Sequence, residues 1–279
     1  MKENLKYKLI ASDLDGTLLD SEQRVSSENL RAIDAINAVG VQFVPCTGRA
    51  LGEIPRELLD TFSVRYFITS NGAAVFDKVR NEMIITHYIP TLAAKIILDT
   101  VKDRSAYVLA HVDGVNYYDL KQLSNEDFDR CKVNAYYHDL IIKKASPKED
   151  FYNYLLSARA IEMFCLIFGS PELLLECKQK FIDTGILTVI QTSENILEIV
   201  ALGTNKGSTL AQLTSFFGIS PSEVVAVGDS ENDLSVMKIA GLSLAMANGA
   251  SVVKDVADKV ICSQDEHSAK YIYENIISK

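Results

Sequence analysis

A chain of 279 residues, 48% hydrophobic and 23% charged, carries enough apolar material for two packed cores. Its formal net charge of −9 argues against nucleic acid as a partner, whereas a small phosphate ester stays admissible wherever a bound cation or a lysine dominates the local field. No apolar run approaches the roughly 20 residues that cross a bilayer, and five cysteines without C-x-x-C spacing read as reduced core thiols.

The stretch from Met1 to Tyr7 contains Glu3 and lacks a long apolar segment, so no secretory leader is expected and the chain reads as cytoplasmic. Residues 8–12 form a short apolar strand that opens into Asp13-Leu14-Asp15-Gly16-Thr17. Side chains two apart leave a strand on one face, and Gly16 lets the chain turn away. Both acids then stand uncovered at the carboxyl end, where open α/β sheets take their ligands. Such a pair can hold a metal and attack phosphorus; read alone, it fits equally an Asx-type turn or a piece of a calcium loop. The amphipathic run Leu30, Ile33, Ile36, Val39 predicts a helix with Ser26 or Ser27 as its cap and Gly40 as its stop. Residues 41–46 read as a strand ending in Cys46-Thr47-Gly48-Arg49, followed by a helix over about 53–62 and a strand over 66–69. This β-α-β-α-β order predicts parallel strands with right-handed crossovers, one half of a doubly wound domain.

From about residue 84 the pattern changes. Alternating segments at 107–110 and 115–119 read as a hairpin about Asp113-Gly114, helices fit 92–101 and 172–181, and strands fit 161–168 and 196–200. Tyr117, Tyr118, Tyr136 and Tyr137 are read as strand residues of this insert, where aromatic rings pack well. His87, His111, His138 and His267 lie far apart without ligand spacing and receive no catalytic role. After Gly203 the core rhythm resumes: Asn205-Lys206-Gly207 puts a lysine ahead of the helical pattern Leu210, Leu213, Phe217, and the strand at 224–227 opens into Gly228-Asp229-Ser230-Glu231-Asn232-Asp233. The expected architecture is α/β. A Rossmann-like, doubly wound parallel-sheet core takes residues 1–83 and 201–279, and an α+β domain is inserted at 84–200.

An acid pair, a Thr-Gly turn, a lysine and a second acid cluster thus occur in fixed order, with Ser70-Asn71-Gly72-Ala73 between them. Together D-x-D-G-T, C-T-G-R, S-N-G-A, N-K-G and G-D-S-E-N-D resemble the haloacid dehalogenase (HAD) superfamily, specifically its Cof-type phosphatases, over nearly the whole chain. The stretch Ala245-Met246-Ala247-Asn248-Gly249-Ala250 is similar to the family's A-M-x-N-A turn. The pattern breaks at Asp265-Glu266-His267-Ser268-Ala269, where relatives carry an Asp-Gly-Val-Ala stretch. The resemblance implies that the insert is a type II cap. It further implies a Mg²⁺-dependent phosphatase that hydrolyses small phosphorylated metabolites, sugar phosphates or phosphorylated cofactors, through an aspartyl phosphate.

In that chemistry Asp13 is the nucleophile, and Asp15 protonates the leaving alkoxide and later deprotonates water. Asp13, the main-chain carbonyl of Asp15, and Asp229 are the expected Mg²⁺ ligands, with Asp233 behind them. Leu14, Thr47, Gly48 and Lys206 are expected to hold phosphate, Asn232 either contacts phosphate or orients Lys206, and Arg49 either meets substrate or pairs with a core carboxylate. A phosphomutase or phosphoryl transferase on the same scaffold, or a ligand-binding protein without turnover, is the alternative. The intact set Asp13, Asp15, Thr47, Lys206 and Asp229 argues against loss of turnover.

Overall fold

Short apolar runs separated by capped helices organise the chain, which a computed structural model describes over residues 5–279. The expectation about a leader lies largely outside the described residues. In chain order come β1 (Leu9–Ser12), α1 (Ser27–Ala38), β2 (Gln42–Pro45), α2 (Arg56–Asp60), β3 (Tyr66–Thr69), β4 (Ala74–Asp77) and β5 (Glu82–Thr86). The insert follows with α3 (Thr91–Val101), β6 (Ala106–Val112), β7 (Val115–Asp119), α4 (Asn125–Arg130), α5 (Ala135–Lys143) and β8 (Ser146–Lys148). It continues through α6 (Phe151–Ser157), β9 (Ile161–Phe168), α7 (Pro171–Asp183), β10 (Leu187–Ser193) and β11 (Ile196–Ala201). The chain ends with α8 (Lys206–Phe217), β12 (Val224–Gly228), α9 (Leu234–Met237), β13 (Leu242–Ala245), α10 (Ser251–Val256), β14 (Lys259–Val260) and α11 (Ser268–Ile272). Contacts divide the molecule into two units. The core unit takes the chain up to Arg49, then Ile54–Ile85 and Asn205–Lys279; the cap unit takes Ala50–Glu53 and Thr86–Thr204.

The core unit is built on a parallel five-stranded sheet in the order β14-β13-β12-β1-β2. Every residue of β1 and β12 is buried, as expected of strands covered on both faces, and Leu9 sits in register with Val224 on one side and Gln42 on the other. β1 therefore lies between its successor β2 and the later strand β12, and the carboxyl ends of β1 and β12 mark the point where the strand order reverses. Of the two serines expected to cap α1, Ser26 does so, its hydroxyl accepting from Asn29 N at 3.1 Å.

Two local expectations are corrected. The helix expected from residue 53 begins at Arg56, because Pro55 lacks an N–H and disfavours a helical residue before it; Leu51–Glu53 forms a separate 3₁₀ turn. β3 does not extend the parallel sheet along its length. A single parallel bridge, Cys46 to Ile68, links it to the chain after β2, and it otherwise pairs antiparallel with β4 in a small sheet ordered β3-β4-β5.

The cap unit holds a six-stranded sheet ordered β10-β11-β9-β6-β7-β8, antiparallel except for the β7–β8 pair. Helices α3, α6 and α7 cover one face through residues such as Ile97, Leu155 and Phe181; Phe128 and Ile141, from α4 and α5, pack on Tyr107, Leu109 and Cys165 of the other. Asp113 and Gly114 take φ of +50° and +76°, the paired left-handed geometry of a tight hairpin turn. Tyr117 and Tyr118 lie in β7 as expected, but Tyr136 and Tyr137 stand on α5, not on a strand. Asn134 starts that helix by accepting from Tyr137 N at 3.0 Å, and Tyr137, Leu140 and Ile141 then recur at helical spacing on its buried side. All five cysteines are free, and no helix among the described residues is long and apolar enough to cross a membrane.

Candidate active site

The site grows from the ends of β1 and β12. Asp13 prolongs β1, its N–H donating to Val227 O at 3.0 Å, and the chain then swings away through Gly16 at φ +73°. A Cβ at Gly16 would stand 2.5 Å from Asp229 Oδ2, so glycine is required there both for its conformation and for the approach of Asp229. Asn248 Nδ2 donates to Gly16 O at 2.7 Å and Ser268 Oγ to Thr17 O at 2.9 Å, which holds the turn from the C-terminal segments. Gly228 plays the matching part on β12. A Cβ there would lie 2.4 Å from the Asp233 carboxyl, which folds back to accept from Asp229 N and Ser230 N at 3.0 and 3.1 Å.

Lys206 opens α8 behind the cap residue Asn205, and its side chain is fully buried. Its ammonium has three hydrogens and three acceptors: Asp13 Oδ1 and Asp233 Oδ1 at 2.7 Å and Asn232 Oδ1 at 3.3 Å. Burial opposes its charge, yet Asp13 and Asp233 outweigh that and hold Lys206 protonated well above the ordinary lysine range. Asp13, Asp229 and Asp233 offer oxygens within 4.8 Å of one another. Burial pushes Asp13 well above the usual carboxylate range, with Lys206 pulling the other way and the neighbouring acids adding to the rise. Asp229 is pushed up to about 6, first by burial and then by Asp233. Three crowded acids against one ammonium leave negative charge uncompensated, which is the electrostatic setting of a hard divalent cation. Asp233 is committed to Lys206 and two backbone amides, so Asp13 and Asp229 are the side chains with oxygens free for such an ion.

The Thr47-Gly48-Arg49 turn is fixed from the main chain. Thr47 N donates to Ile68 O at 2.9 Å, Asn71 N to Thr47 O at 3.1 Å, and Arg49 N to Thr47 Oγ1 at 3.1 Å. Asn71, left-handed at φ +54°, accepts from Asn232 Nδ2 at 3.2 Å and so ties this turn to the lysine cluster. Arg49 pairs with a carboxylate. Its Nε and Nη2 bind the two Asp15 oxygens at 2.7 and 2.5 Å, and Nη2 also meets Gln23 Oε1. Asp15 therefore shares the turn with Asp13, but its carboxylate is paired with Arg49. Leu14 is fully buried, so only its main chain is open to a ligand. Cys46, beside the site, has its thiol pushed far up by burial. Sequence reading assigned no role to Asn71, Asn248, Thr17 or Gln23. An Asn-Gly pair was a legible signal for the left-handed Asn71; Gln23 carried none.

The sequence profile of the haloacid dehalogenase-like hydrolases matches residues 10–272. The 5-amino-6-(5-phospho-D-ribitylamino)uracil phosphatase YcsE of Bacillus subtilis (strain 168) is 31% identical over 261 residues, covering 93% of this chain and 91% of its own. The phosphatase YwtE of the same organism, with the same named substrate, is 27% identical over 294 residues, covering 97% and 98%. Among solved structures, a haloacid dehalogenase-like hydrolase from Bacteroides thetaiotaomicron is similar with a TM-score of 0.81 at 25% identity, over 97% of this chain and 100% of that one. With a profile spanning the chain from β1 to α11 and a relative above 30% identity over nearly its whole length, the chain belongs to the haloacid dehalogenase-like hydrolases, among their Cof-type phosphatases.

Proposed function

We propose that the protein hydrolyses small phosphorylated metabolites through an aspartyl phosphate on Asp13 with Mg²⁺ as cofactor, and that a phosphorylated ribityl compound, as in its relatives' names, is the first substrate to test. The observation that carries the reading is the Asp13 carboxylate itself. It is buried at the switch point of the sheet, one oxygen is bound by Lys206, and the other accepts no hydrogen bond among the described residues.

In the first step that free oxygen bonds to phosphorus as the ester P–O bond breaks, and the leaving alkoxide takes its proton from Asp15. Water then attacks the same phosphorus and gives a proton to Asp15. Phosphate leaves and Asp13 is restored. Lys206 neutralises charge on the phosphoryl oxygens, while the Thr47 hydroxyl, which accepts from Arg49 N, keeps its own hydrogen for one of them. Asp13, Asp229 and the Asp15 carbonyl would hold Mg²⁺, which when bound supplies charge to offset the transferring group. Asp15 reaches the leaving group only when Arg49 releases one of its oxygens, and that release frees the guanidinium to meet substrate.

Release of inorganic phosphate from 5-amino-6-(5-phosphoribitylamino)uracil and a panel of sugar phosphates, with and without Mg²⁺, tests the reading. Phosphate release that requires Mg²⁺ is expected for at least one of them, and none from any would overturn it. Asp13→Asn is expected to abolish turnover in a folded protein. Uncatalysed monoester hydrolysis is so slow, with enzymes reaching about 10²¹-fold acceleration, that survival of more than about a tenth of kcat contradicts a covalent role.

A further inference from the structure

The chain leaves the core unit for four residues directly after Arg49: Ala50–Glu53 belongs to the cap unit, and Ile54 returns to the core. Three contacts fasten this excursion to the β6–β7 hairpin and to itself. Gly52 N donates to Gly114 O at 2.8 Å, Asn116 Nδ2 donates to Glu53 Oε1 at 2.7 Å, and Ala50 N donates to Glu53 Oε2 at 2.8 Å. His111, opposite Asn116 in the hairpin register, brings Nε2 to 3.8 Å from Glu53 Oε2. The hairpin turn is itself held from β9, where the Glu162 carboxylate accepts from Gly114 N at 2.8 Å. Glu53, His111, Asn116 and Glu162 are all buried. A carboxylate is taken out of water only where its hydrogen bonds compensate the lost hydration, so the buried Glu53, bound by Asn116 and Ala50 N and approached by His111, marks a built attachment. The catalytic reading uses none of them.

We propose that Glu53 is a positioning residue: held by Asn116 and accepting from Ala50 N, it fixes the segment bonded to Arg49, and thereby where Arg49 stands and when it holds or releases Asp15. The physical link is short. Arg49 is bonded to Ala50, Ala50 is held by the Glu53 carboxylate, and the Arg49 side chain grips both oxygens of Asp15. Two covalent crossings, near Thr86 and near Thr204, suffice to carry an inserted domain; the excursion at Ala50–Glu53 adds two more, the first of them at the bond to Arg49, which restrains the proposed acid. The proposal rests on the acid role given to Asp15.

Leaving-group dependence reads it out. Glu53→Ala is expected to lower kcat on ribitol 5-phosphate, whose alkoxide needs a proton, by about tenfold. On p-nitrophenyl phosphate, whose leaving group needs none, it should cost no more than about twofold, with KM little changed on either. Glu53→Gln keeps an oxygen for Asn116 but loses the acceptor for Ala50 N, and is expected to fall between. Asn116→Ala, which leaves Glu53 in place, is the variant to use if Glu53→Ala does not fold, and should reproduce the split. Hydrogen exchange of peptides covering residues 47–53 should rise in each variant. Equal losses on the two substrates, or unchanged exchange over 47–53, overturns the latch. Asp15→Asn run in parallel separates the two ideas: if it shows no leaving-group split, the acid role falls, and the exchange data alone decide whether Glu53 holds Arg49's segment.

Discussion

Asp229 and Asp15 are both acids at strand ends, yet their surroundings differ. Asp229 faces Asp13 and Asp233 and is pushed up to about 6, whereas both oxygens of Asp15 are bound by Arg49. If Asp229 is a metal ligand by its side chain and Asp15 only by its carbonyl, Asp229→Asn should weaken Mn²⁺ binding, read by electron paramagnetic resonance, far more than Asp15→Asn. Comparable loss in both variants would refute the division. The pH dependence has a definite sign. A divalent ion binds the ionised form of Asp229, so affinity should be flat above pH 6 and fall by about tenfold per pH unit below it, more steeply where Asp13 also takes up a proton. The same shifts bear on stability. A carboxyl whose folded value is raised binds protons better in the native state, so the ion-free fold loses stability as pH rises from about 4 through about 6. Added Mg²⁺ should therefore raise Tm most at neutral pH and little near pH 4. A Tm shift by Mg²⁺ that is equal at both pH values would contradict the assignment of this cluster as the cation site.

Elements differ in how far their own residues determine them. β1 and β12, α1 with its serine cap, and the Asp113-Gly114 hairpin were legible because apolar run, cap and turn residue are all local. The acid pair, the Thr-Gly turn and the lysine were legible as motifs for the same reason: each sits where a strand meets a helix. Features decided by distant residues were not. Tyr136 and Tyr137 look like strand residues until Asn134 caps them into a helix, and Glu53 finds Asn116 at a separation of 63 residues. β3 shows the same effect, since its departure from the parallel sheet depends on the β4 hairpin. That hairpin is anchored by the buried Asp77, which accepts from Arg65 Nε and Nη2 at 3.0 and 2.8 Å and from Val79 N at 3.0 Å. Arg65 and the backbone amides of Arg80 and Val79 hold Asp77 below the usual carboxylate range. The stability it contributes is thus fully present above an ordinary value near 4 and is lost as pH falls through its lower folded value, opposite in sign to the acid cluster. Asp77→Asn should cost on the order of 1–3 kcal/mol at neutral pH, and the difference from wild type should shrink on acidification below about pH 4. A difference that stays constant down to pH 2 would show that packing, not charge, anchors β4.

At the scale of the molecule the question is which unit chooses the substrate. The apolar cluster of the core unit, with Leu9, Val44, Ile68, Leu210 and Val224 among its members, draws on no residue of the insert. Every residue given a catalytic or binding role, Asp13, Asp15, Thr47, Lys206, Asn232 and Asp229, likewise lies in the core unit. Replacing Thr86–Thr204 by a short linker should therefore leave a domain that folds cooperatively and retains the aspartyl site. The deletion also strips Gly52 and Glu53 of their partners Gly114 and Asn116, so Arg49 loses the tether behind it. Turnover of p-nitrophenyl phosphate, which asks nothing of Asp15 as an acid, should persist within about tenfold of wild type, whereas alkyl phosphates should suffer more. Discrimination among the metabolite panel should collapse, because the side chains that would distinguish one leaving group from another would be gone. Circular dichroism and a thermal melt establish first that the shortened chain is folded. If a folded core then keeps the wild-type ranking of substrates, the core alone reads the leaving group, and the cap must be assigned some other part in the cycle.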